Sequence, residues 1–240
     1  MMFQPESTLD WTRAEAKASA PDRPQSQDFS VRTRVAVSKA EHESATSLFL
    51  RLYQKKGYLG HNALEVCQNL LNYKPQLVYV AEAHQQTIGT VRLLAPGPQP
   101  LPMESVFAKE VGNLRRQGRA VCEIAALGVN RDFSWQRVDH ASMNNRVLTI
   151  FALFRALIRT ALKLGMDDMC VAVHPRHAKL YTSILFTRLG STRPYGRVND
   201  HPAMGLRLNL TTLMDDLRKP GSSPYAEYIH NLLVGRPDSA

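Results

Sequence analysis

A run of nine small and apolar residues with a single carboxylate near its start, Val121-Cys-Glu-Ile-Ala-Ala-Leu-Gly-Val129, constrains what this chain can fold into. An uninterrupted apolar run bounded by polar segments is the pattern of an interior strand. Burying an unpaired carboxylate there is costly, because desolvation disfavours its charged form and raises its pKa. A carboxylate so shifted is suited to moving a proton near neutral pH. The competing reading is that Glu123 points away from the core and pairs with an arginine.

The 240 residues, 44% of them hydrophobic, suit one domain with a proper core and tails, or at most two small domains. Residues 1–29 are rich in Pro, Ser, Gln, Asp and Ala without sustained periodicity and read as a disordered leader. Residues 30–212 carry alternating strand and helix patterns, and residues 213–240 read as a C-terminal helical extension. Val31–Val37 alternates as a strand, and Ser38 with Glu41 forms a capping box for the helix carrying Ala45, Leu48, Phe49 and Leu52. Leu77–Ala83 and Thr87–Leu94 form a hairpin about Gln85-Gln86. A proline-rich stretch, 95–102, precedes a polar helix from Glu104 to Arg116. After the Glu123 strand comes a polar loop, 130–145, then an apolar helix ended by Gly165. Arg155, Arg159 and Lys163 interrupt that helix, which makes it a core helix rather than a membrane span. Met169–Val173 is a further buried strand. A helix from Ala178 to Leu189 and a last strand, Ala203–Leu210, follow.

Hairpins followed by strand-helix-strand units predict an α/β fold, a mixed sheet flanked by helices, which is the GNAT-like arrangement of acyl-CoA N-acyltransferases. The net charge of +9 points to anionic partners. It is dispersed, with no run of five like charges, and no nucleic-acid partner is expected; contact with a membrane surface stays open. Three cysteines without CxxC spacing and without a signal peptide point to a reducing, cytoplasmic setting.

Motifs sharpen this. Ile88-Gly-Thr-Val-Arg-Leu-Leu-Ala-Pro96, Val106-Phe107 and Glu123–Val129 resemble the acyl-homoserine-lactone synthases, which carry a Gly-x-x-Arg-Leu-Leu-Pro strand, a Val-Phe helix start and a Glu-x-Ser-Arg-x-x-Val strand. The segments His174-Pro-Arg-His-Ala-Lys-Leu-Tyr181 and Arg193-Pro-Tyr-Gly-Arg-Val-Asn-Asp-His-Pro-Ala203 look closer to the related N-acyl amino acid synthases. The resemblance covers about residues 31–210. It implies an N-acyltransferase moving a long-chain fatty acyl group from an acyl carrier protein thioester to an amino acid. It also implies Glu123 as general base and Arg92 as the arginine of the Gly-x-x-Arg strand. Ala125 and Ala126 stand where the homoserine-lactone pattern has Ser and Arg. Ala125 and Leu127, beside the base, are expected to face substrate.

The loop from Asn130 to Asn145 contains no glycine. Without one, the backbone approaches a diphosphate less closely than in the glycine-rich loops of CoA-dependent relatives. A phosphopantetheine arm on an acyl carrier protein needs positive surface instead. Arg115, Arg116, Arg119, Arg131, Arg137 and Arg146 are candidates to supply it, each also readable as a solvated surface charge. Acyl-phosphopantetheine, on the carrier or as acyl-CoA, is thus a co-substrate, and no permanently bound cofactor is expected. His174 and His177 have the spacing of a metal pair but no nearby Cys or carboxylate, so no metal is expected; His177 is a substrate-cleft candidate. Tyr181 stands where the GNAT fold places a general acid for the leaving thiolate, and is equally readable as a core residue. Trp135 and Phe133 either cover an acyl chain or anchor their loop. The rivals are an acetyl-CoA-dependent acetyltransferase, an acyl-homoserine-lactone synthase and a non-catalytic acyl-binding regulatory module.

Overall fold

The computed structural model describes residues 31–60, 63–130, 145–219 and 223–235. The expected leader, most of the 130–145 loop and the extreme C-terminus lie outside the described residues. Among the described residues no helix is long and apolar enough to cross a membrane.

Among the described residues eight strands form one mixed sheet. In chain order they are β1 (Arg32–Val35), β2 (Gln76–Ala83), β3 (Gln86–Leu94), β4 (Val121–Val129), β5 (Asp168–Val173), β6 (Thr187–Arg188), β7 (Arg193–Tyr195) and β8 (His201–Asn209). The spatial order is β1-β2-β3-β4-β5-β8-β6, with β7 on β8. All pairings are antiparallel except β4 with β5. The helices are α1 (Lys39–Lys55), α2 (Ala63–Asn72), α3 (Glu104–Arg116), α4 (Asn145–Lys163), α5 (Ala178–Thr182), α6 (Leu213–Leu217) and α7 (Pro224–Val234).

Alternation along the strands sends side chains to two cores. On β4, Cys122 and Ile124 join Phe151, Phe154, Leu157 and Ile158 of α4 in the larger one. Val121 and Ala126 face the other way, towards Phe49 of α1, Leu70 of α2 and Phe107 and Val111 of α3. The central strand is therefore covered on both sides, as its near-continuous apolar sequence requires. Leu213 and Leu217 of α6 and Ala226 and Ile229 of α7 are buried in the α4-side core.

The capping box is formed as the sequence predicts. Ser38 Oγ accepts from Glu41 N at 3.2 Å, and the Glu41 carboxylate accepts from Ser38 N at 2.9 Å and Val37 N at 2.7 Å. These amides, Ser38's foremost, hold the Glu41 carboxyl down at about 2.

Four expectations shift. The β2–β3 turn is His84-Gln85, one residue earlier than expected, with φ of 49° and 61°, the positive pair that a type I′ hairpin turn takes. The linking region 58–75 holds a full ten-residue helix, α2. The helix expected from Ala178 to Leu189 stops at Thr182. Phe186 N closes back on Tyr181 O at 3.1 Å, and Leu185 takes φ 72°, which no helix continues through. Residues 187–188 and 193–195, not expected as strands, extend the sheet across β8.

Candidate active site

The parallel β4–β5 pair holds over three steps only: Val121↔Asp168, Cys122↔Met169 and Glu123↔Cys170. Beyond Glu123 the strands part. The gap between Ile124–Val129 and Val171–His174 opens into a cavity of about 170 Å³, with Glu123 at its apex.

Two devices produce the split. The first is a bulge. Thr90 pairs with Gly128 and Arg92 with Ala125, so Ala126 and Leu127 together oppose Val91. Ala126 sits at φ 53°, a left-handed conformation that costs a non-glycine residue about 1–2 kcal/mol. Bulges re-aim a strand and gather at functional sites. Ala126→Gly is expected to be neutral or mildly stabilising. Ala126→Val, β-branched at positive φ, is expected to lose roughly 2 kcal/mol in urea unfolding.

The second device pins the base of the split. Asp168, fully buried at the start of β5, accepts from Arg207 Nε of β8 at 2.6 Å, from Arg119 Nη2 at 3.1 Å and from Arg119 Nε. Arg119 Nη2 also reaches Asn209 Oδ1 at 2.8 Å. The three central strands are thus tied together at one end and free to diverge at the other.

Glu123 is 3% exposed. One carboxylate oxygen accepts from Met103 N at 2.9 Å, and no ion pair reaches it among the described residues. Burial pushes its carboxyl up to about 8, against the smaller opposing pulls of the Met103 amide and the Arg197 charge. Much of the cavity wall is apolar: Phe49, Leu70, Ile124, Leu127, Ile150 and Val171 line it. Basic and aromatic side chains also line it: Lys56, Arg146 and Arg197, the imidazoles of His174, His177 and His201, and Tyr53, Tyr58, Tyr181 and Tyr195. Among the described lining residues Glu123 is the one carboxylate. Burial, with Lys56 and Arg176 adding to it, drives His177 down to about 4, so its imidazole is neutral at physiological pH. Tyr58 is clamped at the mouth. Its hydroxyl accepts from Arg176 Nη2 at 2.6 Å, and its ring lies 5.0 Å from that of His201. Among the described residues no cluster of three or more His, Cys, Asp or Glu is placed to hold a metal.

The structure brings together Glu123, Ala125, Leu127, His174, His177, Tyr181 and Arg146 from the sequence-derived set. Tyr181 serves two roles. Its ring packs edge-on against Phe154 and Phe186, with centroids 5.4 and 5.3 Å away, and its residue also lines the cavity. Burial raises its phenol well above the ordinary value, so it holds its proton. Arg92 does not face the cavity. It is 2% exposed and donates to Gln76 Oε1 at 2.8 Å and Thr46 Oγ1 at 3.0 Å, tying α1 to the sheet. Arg119 is consumed by Asp168. Arg115, paired with Glu104 at 2.8 Å, and Arg116, bonded to Asn113, end α3 near the start of β4, whereas Arg146 begins the helix after β4's end. These arginines do not form one surface. Arg131, Arg137, Trp135 and Phe133 lie outside the described residues. Sequence reasoning missed Lys56, Tyr58, Tyr195 and Arg197. Tyr195 and Arg197 stood inside the Arg-Pro-Tyr-Gly-Arg motif, which was the available signal.

Comparison with known proteins fits this geometry. The family described as N-acyl amino acid synthase FeeM matches residues 44–209. Among solved structures the chain is similar to FeeM, an N-acyl amino acid synthase from uncultured soil microbes. The TM-score is 0.69 at 20% identity, over 85% of this chain and 100% of that one. It is also similar to an acyl-CoA N-acyltransferase from Pseudomonas aeruginosa (TM-score 0.50, 15% identity, 74% of this chain and 99% of that one). A probable acetyltransferase from Staphylococcus epidermidis gives a TM-score of 0.50 at 13% identity, over 75% of this chain and 99% of that one. No curated protein matches the sequence. The split parallel pair and the flanking helices are those of the GNAT fold, as the order of elements predicts. With the greater part of its length matched, the chain belongs to the N-acyl amino acid synthase family and is an N-acyltransferase.

Proposed function

We propose that the protein transfers a long-chain fatty acyl group from the phosphopantetheine thioester of an acyl carrier protein to the amino group of an amino acid. The observation that carries this reading is the buried, unpaired Glu123 at the apex of the apolar split. In its ionised form Glu123 takes a proton from the acceptor's ammonium group. The freed nitrogen lone pair forms a bond to the thioester carbonyl carbon, and the C–S bond breaks with its electron pair on sulfur. Tyr181, protonated and in the cavity wall, gives the departing thiolate a proton and takes up the second proton that the nitrogen sheds, leaving a neutral amide, a free thiol and a protonated Glu123. The unpaired edges of β4 and β5 beyond Glu123 offer backbone groups to the amides of a pantetheine arm. The apolar walls accept the chain.

Support for a carrier protein as donor comes from the glycine-free 130–145 loop and from the basic rim, where Arg176 and Lys179 are exposed beside the mouth residues His174 and His177. Lys179→Glu is expected to raise KM for the carrier-borne thioester about 3- to 10-fold at low salt, and less at 0.5 M salt. It should leave KM for a free acyl-pantetheine unchanged. Equal effects on both donors would count against a carrier docking at this rim. The proposal as a whole is tested by mass spectrometry of lipid extracts from cells expressing the protein. N-acyl amino acids should accumulate with the wild-type chain, and their absence would overturn the reading.

A further inference from the structure

One cation that lines the cavity, Arg197, sits on the strand connection facing Glu123 and is not used by the acyl-transfer chemistry above. Arg197 lies in the single turn Gly196–Val198 between β7 and β8, and lines the cavity that Glu123 closes. That turn is held in place just past its end, where two side chains meet one carbonyl. Asn199, in the left-handed conformation that ends it, donates to Gly57 O at 3.3 Å, and His201 Nε2 contacts the same carbonyl at 3.2 Å. The arginine is thus presented by a latched backbone rather than a free loop.

Arg146 also lines the cavity, at the start of α4 and so beyond the end of β4 remote from Glu123, and two other cations at the site already have work. Arg176 is exposed, with its guanidinium spent on the Tyr58 hydroxyl and the His177 ring. Lys56 lies 5.7 Å from the centroid of the Tyr58 ring. Arg197, by contrast, has its Nε buried with no hydrogen-bond partner among the described residues. A buried donor left unmatched is costly unless a ligand matches it. Its charge also reaches Glu123, where it favours the carboxylate form.

We infer that Arg197 is the specificity-determining residue that holds the α-carboxylate of the acceptor while Glu123 receives a proton from its ammonium group. The inference rests on the amino-acid-acylating reading above and deepens it. An α-amino acid is a zwitterion whose charges are separated by one carbon. The cavity offers the reverse arrangement, a lone carboxylate at the apex and an arginine fork within electrostatic reach of it. Guanidinium matches carboxylate by paired, charge-assisted hydrogen bonds, which an ammonium cannot reproduce. The acceptor class is therefore amino acids with a free carboxylate, to the exclusion of simple amines and of amino acid esters.

The test compares hydrophobic amino acids with their decarboxylated amines and methyl esters, with the long-chain acyl donor saturating, for the wild-type protein, Arg197→Met and Arg197→Lys. Wild type should use the amino acids at least 10-fold better in kcat/KM. Arg197→Met should raise KM for the amino acid on the order of 10- to 100-fold with a smaller change in kcat, while the amine, which has no carboxylate to lose contact with, shows only the smaller effect of removing the Arg197 charge from Glu123. Arg197→Lys should fall between the two. Equal loss on amino acid and amine in both variants, or unchanged use of amino acids by Arg197→Met, would overturn the assignment while leaving the N-acylation reading in place. A wild-type protein that acylates amines and esters as well as amino acids would overturn it too. Wild-type inactivity towards every amino compound would remove both.

Discussion

Glu123→Gln is expected to reduce acyl transfer by about 100- to 10,000-fold, the usual range for loss of a positioned general base, and to stabilise the protein above neutral pH. The two effects share one cause. Glu123 is buried and its carboxyl is raised from 4.5 to about 8. Below pH 4.5 the group is protonated in both folded and unfolded chains, and it costs nothing. As pH rises through 4.5 the unfolded chain releases the proton while the folded one retains it. The native state therefore loses about 1.4 kcal/mol per pH unit until the folded carboxyl itself ionises near 8. The penalty is on the order of a few kcal/mol in alkaline solution. Glutamine keeps an oxygen to accept from Met103 N and carries no charge to desolvate. Thermal unfolding should show the variant and wild type alike near pH 4, with the variant more stable at pH 8.5. A variant that is active, or less stable at pH 8.5, would contradict the reading of Glu123.

The largest loss of stability is expected from Asp168→Ala. This carboxylate is fully buried and receives Arg119 from the segment before β4 and Arg207 from β8. Removing it leaves two partly exposed guanidinium groups without their shared partner, and only Asn209 Oδ1 and Asp167 O to hold Arg119, at the point where β4, β5 and β8 meet. Breaking such a cluster from one side costs roughly 3–5 kcal/mol, the lower end applying where water reaches the arginines. Equilibrium urea unfolding measures it. A loss below 1 kcal/mol would show that the base of the split is held by the apolar packing of Val121, Cys122 and Met169 alone. Asp168 lies at the far end of the open split, so catalysis by the folded fraction should fall much less than stability does.

The central strand was the most legible part of the molecule. Val121–Val129 is apolar on both faces because helices cover both, and that burial is what makes its one carboxylate conspicuous. Ser38 and Glu41 named their own helix cap, since a capping box is a local interaction complete within four residues. Other features depend on partners distant in sequence. Arg92 looks like a ligand residue on its strand, but Thr46 and Gln76 take its guanidinium from two other elements. Arg119 looks like one of a basic set until Asp168, far along the chain, is folded against it. The early end of α5 turns on Leu185 accepting a positive φ, which its side chain type argues against. Arg197 and Tyr195 were visible inside a motif, but only the latch to Gly57 turns that motif over the cavity.

Acyl transfer in this cavity depends on the protonation behaviour of one side chain, and a carboxyl titration reads it directly. Carbon-13 NMR of protein labelled at glutamate side-chain carboxyls, with the Glu123 resonance assigned by its loss in Glu123→Gln, should show a midpoint near pH 8. A midpoint near the ordinary 4.5 would mean that water reaches this carboxylate, and that the cleft beside it is not the dry slot in which an acceptor nitrogen loses its proton.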